Sequence, residues 1–283
     1  MESTATRTAW SEIGGKGSGD LVLAVDFTAT GRPDARFADL VELSATDRPV
    51  WESMPQAIAT DIGPGGAVYL DRWTEEIRAD GRRVGAVLGF CAGAVFAAEL
   101  ADRIAAWQDG APRLLLFDPE KANAVGLYWQ FHQSIALFEG ILGADAVARA
   151  GEAGRTALDA GDGLRALGTT LVTLFKEVSE PAFEQLDLDE EDRAEFTDSF
   201  TAFVAYVVAA DELPAQGSWA KATAFSSATP HSGLNPLRDK HPDGVAGPAG
   251  IVARELRFDC DHPDLLRDPE AAKAFNELIA DGE

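Results

Sequence analysis

The sequence predicts an α/β fold: a mostly parallel central sheet with flanking helices, interrupted by one long helical insertion. Three observations carry this. First, Arg83 to Leu88 is an apolar run of strand length, followed by a tight turn, an Ala-rich helical stretch from Ala94 to Trp107 and a second apolar run from Arg113 to Phe117. Strand, helix and strand within about 35 residues make a βαβ unit, whose two strands run parallel. Second, Leu21 to Phe27 is another short, continuously apolar run, as in a strand buried on both faces. Third, strand patterning stops at Lys121 and helical spacing takes over until Leu213.

Taken in order, residues 1–19 are polar and Gly-rich and are expected to be disordered. The strand Leu21–Phe27 ends in the turn-rich run Thr28-Ala29-Thr30-Gly31-Arg32-Pro33. Residues 34–66 show no clear period, except that Pro55 to Asp61 reads as a short helix. Asp71 to Asp80 is helical, with Trp73 and Ile77 one turn apart. In the next helix Phe96, Leu100, Ile104 and Trp107 share a face, and the strand after it ends at Asp118-Pro119. Within the insertion, Val125 to Leu142 is one apolar and aromatic helical stretch. Leu164, Leu167, Leu171, Leu174 and Val178 form a second helical stripe. Phe196, Phe200, Phe203 and Val207 form a third, after the acidic start Asp187–Glu191 that suits a helix N-terminus. Pro214 to Gly217 reads as a linker. Lys221–Ser227 and Val252–Phe258 return to strand patterning, Asp259 to Pro263 is a loop, and Pro269 to Ala280 is a final amphipathic helix. The expected organisation is a core of residues 20–120 and 214–283 with a helical lid at 121–213.

Composition narrows the function. The 283 residues are 46% hydrophobic and 25% charged, which excludes disordered and fibrous classes. With 24 basic against 47 acidic residues the formal charge is −23, which argues against nucleic acid and anionic membrane as partners. Two cysteines, Cys91 and Cys260, exclude a disulfide scaffold and a Cys-rich zinc site; His132, His231, His241 and His262 lack metal-ligand spacing, so no metal is expected. Met1 to Gly19 holds no apolar stretch of the secretory kind, and polar residues break every apolar segment, so a cytoplasmic protein without membrane helices is expected.

Gly89-Phe90-Cys91-Ala92-Gly93 lies between the βαβ strand and its helix and fits a nucleophile elbow with Cys as the nucleophile. The elbow holds its nucleophile in a strained turn, and glycines two positions away on either side avoid a clash. The helix N-terminus then favours a thiolate and a developing oxyanion, with the Ala92 N–H as one donor. The same pentapeptide also suits a buried Cys in a Gly-rich turn. A nucleophilic Cys needs a base and the base an orienter, in the chain order nucleophile, acid, histidine. Asp118 ends the strand after the elbow helix, on the same edge of a parallel sheet as Cys91; His262 lies between the last strand and the last helix. His132, in the run Tyr128-Trp129-Gln130-Phe131-His132, reads as a packed lid histidine.

These motifs resemble the α/β-hydrolase thioesterases of nonribosomal peptide and polyketide assembly lines, in a variant with a cysteine nucleophile. Gly89–Gly93 resembles their elbow, Leu115-Leu116-Phe117-Asp118-Pro119 the strand that ends in the catalytic Asp, and Asp261-His262-Pro263-Asp264-Leu265-Leu266 the histidine loop; the helical block sits where the family inserts its lid. The sequence departs at the loop after the first core strand, where a His-Pro-Gly-Gly-like run is replaced by Thr28-Ala29-Thr30-Gly31, so the second oxyanion donor is assigned to the N–H of Thr28 or Ala29. The resemblance implies a Cys91–His262–Asp118 triad acting on acyl or aminoacyl thioesters of an acyl or peptidyl carrier protein, with transfer to a second acceptor. No resident cofactor is implied, since the carrier brings its own phosphopantetheine arm. Carrier proteins are usually acidic, so docking on a chain of charge −23 requires a local basic patch, for which Arg32, Arg36 and Arg82-Arg83 are candidates. Hydrolytic or cyclising release by the same triad, a dienelactone-hydrolase-like Cys hydrolase and a non-catalytic binding protein on this fold remain alternatives.

Overall fold

The computed structural model describes residues 8–15, 17–27, 34–54, 62–63, 65–214, 218–241 and 244–280. Strands β1 (Trp10–Gly14), β2 (Leu21–Val25), β3 (Val50–Ser53), β4 (Val84–Phe90), β5 (Arg113–Phe117), β6 (Thr223–Ser226) and β7 (Arg254–Arg257) form one sheet in the order β1-β3-β2-β4-β5-β6-β7. Every neighbouring pair is parallel except β1 with β3. Its central strands carry Leu, Val, Ala and Phe on both faces and are buried on both, as strands sandwiched between helices must be. The helices around them are α1 (Phe37–Ser44), α2 (Gly66–Asp80), α3 (Gly93–Ala105) and, after the insertion, α9 (Pro269–Ala280).

Among the described residues before β2, Trp10–Gly14 form a strand where polar, Gly-rich sequence suggested disorder. Trp10 is buried and donates its indole N–H to the Trp73 carbonyl at 3.1 Å, while β1 pairs along β3 from Trp10↔Ser53 to Gly14↔Val50. One large aromatic anchored on α2 fixes an edge strand that its polar neighbours disguise. Within 34–66, helix α1 and strand β3 appear where the sequence shows no clear period; the helix expected at Pro55–Asp61 falls outside the described residues.

By contacts, the chain divides into two compact units, Met1–Pro55 with Gly66–Lys121 and Leu213–Glu283, and Gln56–Gly65 with Ala122–Glu212. The second is all helix among its described residues: α4 (Ala124–Ala136), α5 (Glu139–Leu142), α6 (Ala144–Ala160), α7 (Leu164–Gln185) and α8 (Glu190–Asp211). Its core gathers Phe131, Leu171, Phe175, Phe183, Val204 and Ile62. The single helix expected over Val125–Leu142 is two, because the chain turns at Leu137-Phe138 and sends Phe138 against Phe175 and Phe183. His132 packs within this unit, near Tyr128, Trp129 and Gly151.

Candidate active site

Parallel register brings two loop residues to one edge of the sheet. Phe90 on β4 pairs with Phe117 on β5, so Cys91 and Asp118 leave adjacent strands at the same level. The Cys91 N–H donates to the Phe117 carbonyl at 3.0 Å, and the Asp118 N–H to the Phe225 carbonyl at 2.8 Å, which extends each ladder one residue past its strand. Both residues then turn into the left-handed region, Cys91 at φ 51° and Asp118 at φ 41°. Residues other than Gly hold that conformation at a cost of order 1–3 kcal/mol and mostly where function needs it. Gly89 allows the turn to close: a Cβ there would lie 2.7 Å from the Ala94 Cα and from the Ala97 Cβ on α3. Gly93 opens α3, and Ala92 is its N-cap, so the Ala92 N–H belongs to the first turn's donors without intrahelical partners.

His262 arrives from the other end of the chain. It opens a short 3-10 helix, His262–Arg267, and its N–H donates to Thr229 Oγ1 at 2.8 Å. The imidazole stacks on Phe90, with centroids 4.8 Å apart and planes 16° apart. Its Nδ1 lies 2.8 Å from Asp118 Oδ2, which leaves the other ring nitrogen for its hydrogen bond with Cys91. Asp118 is fully buried, and its Oδ1 accepts from the Ser227 N–H at 2.9 Å. Gly233 sits against it: a Cβ at Gly233, φ +61°, would fall 2.5 Å from that oxygen. The structure therefore brings Cys91, His262 and Asp118 into one hydrogen-bonded series. Thr28 and Ala29 lie outside the described residues.

Burial alone would strip the proton from His262. The bonds from Asp118 and Cys91, and the negative charges of both, outweigh it and raise the pKa to about 11. Burial acts in the opposite direction on Cys260. Burial, then the charges of Asp268, Asp118, Asp264 and Asp261, push its thiol up to about 12, so it stays protonated beside the site.

Two residues that motif reading passes over also stand here. Phe90 supplies the face on which His262 stacks. Glu120, two residues past Asp118, donates its N–H to the Cys91 carbonyl at 3.2 Å and accepts on Oε1 from the Gly233 N–H at 2.8 Å. Donor atoms of Cys91, Glu120 and His262 all lie within 4.8 Å of one another. Of all the described residues, these three form the one group whose donors could accept a divalent cation. The signal for Glu120 was present: a third acidic-or-nucleophilic position on the edge already occupied by Cys91 and Asp118. Two of the arginines considered for docking are engaged elsewhere: Arg82 pairs with Asp80 and lies over Trp51, and Arg83 pairs with Asp20. Arg32 lies outside the described residues.

No family model matches the sequence, and no curated protein matches it. Solved structures do match. Over 97% of its length the chain resembles part of a holo four-domain nonribosomal peptide synthetase bound to AMP and glycine, with TM-score 0.56 and 12% identity, and it spans 20% of that chain. It resembles the NocB thioesterase domain, solved in covalent complex with a fluorophosphonate nocardicin G analogue, over 94% of this chain and 95% of that one, with TM-score 0.51 and 15% identity. A structure from work on carboxylesterases of Nitrososphaera gargenis matches over 99% and 98% of the two chains, with TM-score 0.51 and 12% identity. At these identities the likeness defines the fold. The chain has the α/β-hydrolase fold, with a seven-stranded, mostly parallel sheet and flanking helices. No helix among the described residues is long and apolar enough to cross a membrane.

Proposed function

We propose that this chain is a thioesterase-like enzyme of natural-product biosynthesis that takes an acyl or aminoacyl group from a carrier-protein thioester onto Cys91 and passes it to a second acceptor. One observation carries the reading. Cys91 stands in a left-handed elbow in hydrogen-bonding contact with His262, whose Nδ1 is 2.8 Å from the buried Asp118. The Cys91 thiolate attacks the thioester carbonyl. A C–S bond to Cys91 forms as the C–S bond to the phosphopantetheine arm breaks, and the proton held on His262 goes to the departing thiolate. Asp118 keeps the ring oriented. The Ala92 N–H, with a second donor from Thr28 or Ala29, stabilises the oxyanion. Exchanging one thioester for another is nearly thermoneutral, so the acyl group stays activated for a thiol, amine, hydroxyl or water. The arm arrives with the carrier protein in the cytoplasm, and no resident cofactor enters these steps.

The NocB domain and a Vlm2 thioesterase domain bound with a dodecadepsipeptide, TM-score 0.51 and 14% identity, support the thioesterase reading. The position of Asp118, directly after β5, the strand that follows the elbow helix, also supports it over a dienelactone-hydrolase-like site, in which the acid would follow a later strand. Intact-protein mass after mixing with acyl-loaded carrier protein tests the proposal. The expected result is an adduct on Cys91, absent in Cys91→Ala, slowed at least about 100-fold in Asp118→Asn, and discharged onto a second carrier. An adduct that decays only to free acid makes the enzyme hydrolytic. The absence of any adduct or turnover rejects the covalent reading.

A further inference from the structure

The acyl transfer proposed above uses Cys91, His262 and Asp118 and leaves Glu120 without a role. Its placement is fixed from both ends. The Glu120 N–H is tied to the Cys91 carbonyl at 3.2 Å, so the residue moves with the elbow. Its carboxylate accepts from the Gly233 N–H at 2.8 Å and from the Ser232 hydroxyl. A carboxylate oxygen so held lies within 4.8 Å of both Cys91 Sγ and a His262 ring nitrogen.

We infer that Glu120 binds the α-ammonium group of an aminoacyl thioester and so makes the site selective for aminoacyl over plain acyl groups. The inference rests on Cys91 being the acyl-carrying residue. In an aminoacyl group on sulfur, the path S–C–Cα–N places the nitrogen about 3–4 Å from the sulfur by ordinary bond lengths. A charge-assisted N–H···O bond adds about 2.8 Å. A bent path through these two lengths fits a carboxylate oxygen that lies within 4.8 Å of Sγ. An α-ammonium thus reaches Glu120 from the reacting sulfur, and it is the cationic substituent that a carboxylate there would hold. An unsubstituted acyl chain would set C–H groups against the carboxylate.

Charge points the same way. Once the acyl group is on Cys91, the thiolate is neutralised and the His262 proton has left with the first thiol. Two carboxylates then remain, the fully buried Asp118 and the half-buried Glu120. Burial is the leading influence on Glu120 and raises its pKa; the Gly233 N–H, the charge of His262 and the Ser232 hydroxyl oppose it, and the charge of Asp118 adds to it. A bound ammonium supplies the compensating charge that a neutral acyl group cannot.

The test compares valyl- and isovaleryl-N-acetylcysteamine thioesters, which differ only in the α-amine. Rates of Cys91 adduct formation are read by intact-protein mass in wild type and Glu120→Gln, the glutamine retaining an acceptor for Gly233. The ratio of valyl to isovaleryl rate is expected to fall about tenfold or more in Glu120→Gln, the scale of a lost hydrogen bond to a charged group. Ser232→Ala, which loosens the carboxylate, should lower the ratio by a smaller factor. Adducts from both thioesters with an unchanged ratio in both variants overturn the role of Glu120 alone, as does an equal slowing of both substrates, which would place Glu120 on the nucleophile. If neither thioester labels Cys91 in the wild type, the underlying covalent reading falls, and the selectivity falls with it.

Discussion

His262 sets how the site responds to pH. Its pKa is raised from the 6.5 of an isolated imidazole to about 11: burial pulls it down, but the bonds and charges of Asp118 and Cys91 pull harder the other way. Folding therefore favours the protonated ring. That contribution to stability is complete below about pH 6.5 and is lost progressively as the pH climbs through about 11. In the mechanism proposed above, Cys91 reacts as a thiolate held by that imidazolium. In a Cys260→Ala background, the rate of Cys91 alkylation by iodoacetamide should change less than about threefold between pH 7 and 9.5, where an ordinary thiol accelerates about thirtyfold. His262→Ala should restore that ordinary slope. A wild-type Cys91 that titrates like a free thiol would sink the ion-pair description. At this scale the sequence was informative where chemistry coincides with topology. Cys91, Asp118 and His262 could be picked because each ends or follows a strand on one sheet edge. Phe90 could not, because an apolar residue in a buried strand looks the same whether it packs in the core or stacks on His262. Glu120, two residues past Asp118, shares that edge and is open to the same rule, although it lies past Pro119, where strand patterning has already stopped.

The junction of β4 and α3 shows how an element's packing sets the position of its reactive residue. A methyl group at Gly89 would meet the backbone of Ala94 at 2.7 Å and the Ala97 Cβ at 2.7 Å, so α3 would have to move away from the strand. Gly89→Ala should cost about 1–3 kcal/mol by overpacking, visible as a melting temperature lower by several degrees. It should also slow Cys91 acylation at least tenfold, because the elbow and its first N–H groups shift together. Gly81→Ala is the contrast. There φ is +79° but nothing lies within 4 Å of the added methyl, so the cost is left-handed strain of about 1 kcal/mol with acylation unchanged. If both variants behave alike, close packing at the elbow is not what demands its glycine. The βαβ unit was legible because its strands and helix are long and continuously patterned. Strands β1 and β3 were not, because they span only Trp10–Gly14 and Val50–Ser53 and pair with each other across nearly 40 residues. Helix α1 was hidden by its brevity, since Phe37, Leu40 and Val41 give barely two turns of pattern.

Over the whole molecule the dominant property is a formal charge of −23, and it was readable from composition alone. How the basic residues are arranged was not, because pairing is a tertiary fact. Arg82, Arg83, Arg103, Arg165, Arg193, Arg238 and Arg267 each lie against a carboxylate. Apart from Arg238–Glu255, whose carboxylate is largely buried, exposed pairs of this kind contribute little to stability, but they do reduce the positive field available to an approaching partner. An acidic carrier protein would therefore meet net repulsion at long range. At about 10 mM salt the screening length is near 30 Å, and at 150 mM it is near 8 Å, so added salt should weaken the repulsion before the surfaces touch. The rate of Cys91 acylation by a loaded acidic carrier, taken per unit concentration, should therefore rise several-fold from 10 to 150 mM NaCl. Steered encounters between opposite charges fall steeply over the same range. A small uncharged acyl-N-acetylcysteamine thioester reports the chemistry without the docking, and its rate should stay nearly constant. A carrier-dependent rate that falls with salt while the small thioester holds steady would instead locate a basic docking patch on the enzyme, strong enough locally to overcome the charge of the whole.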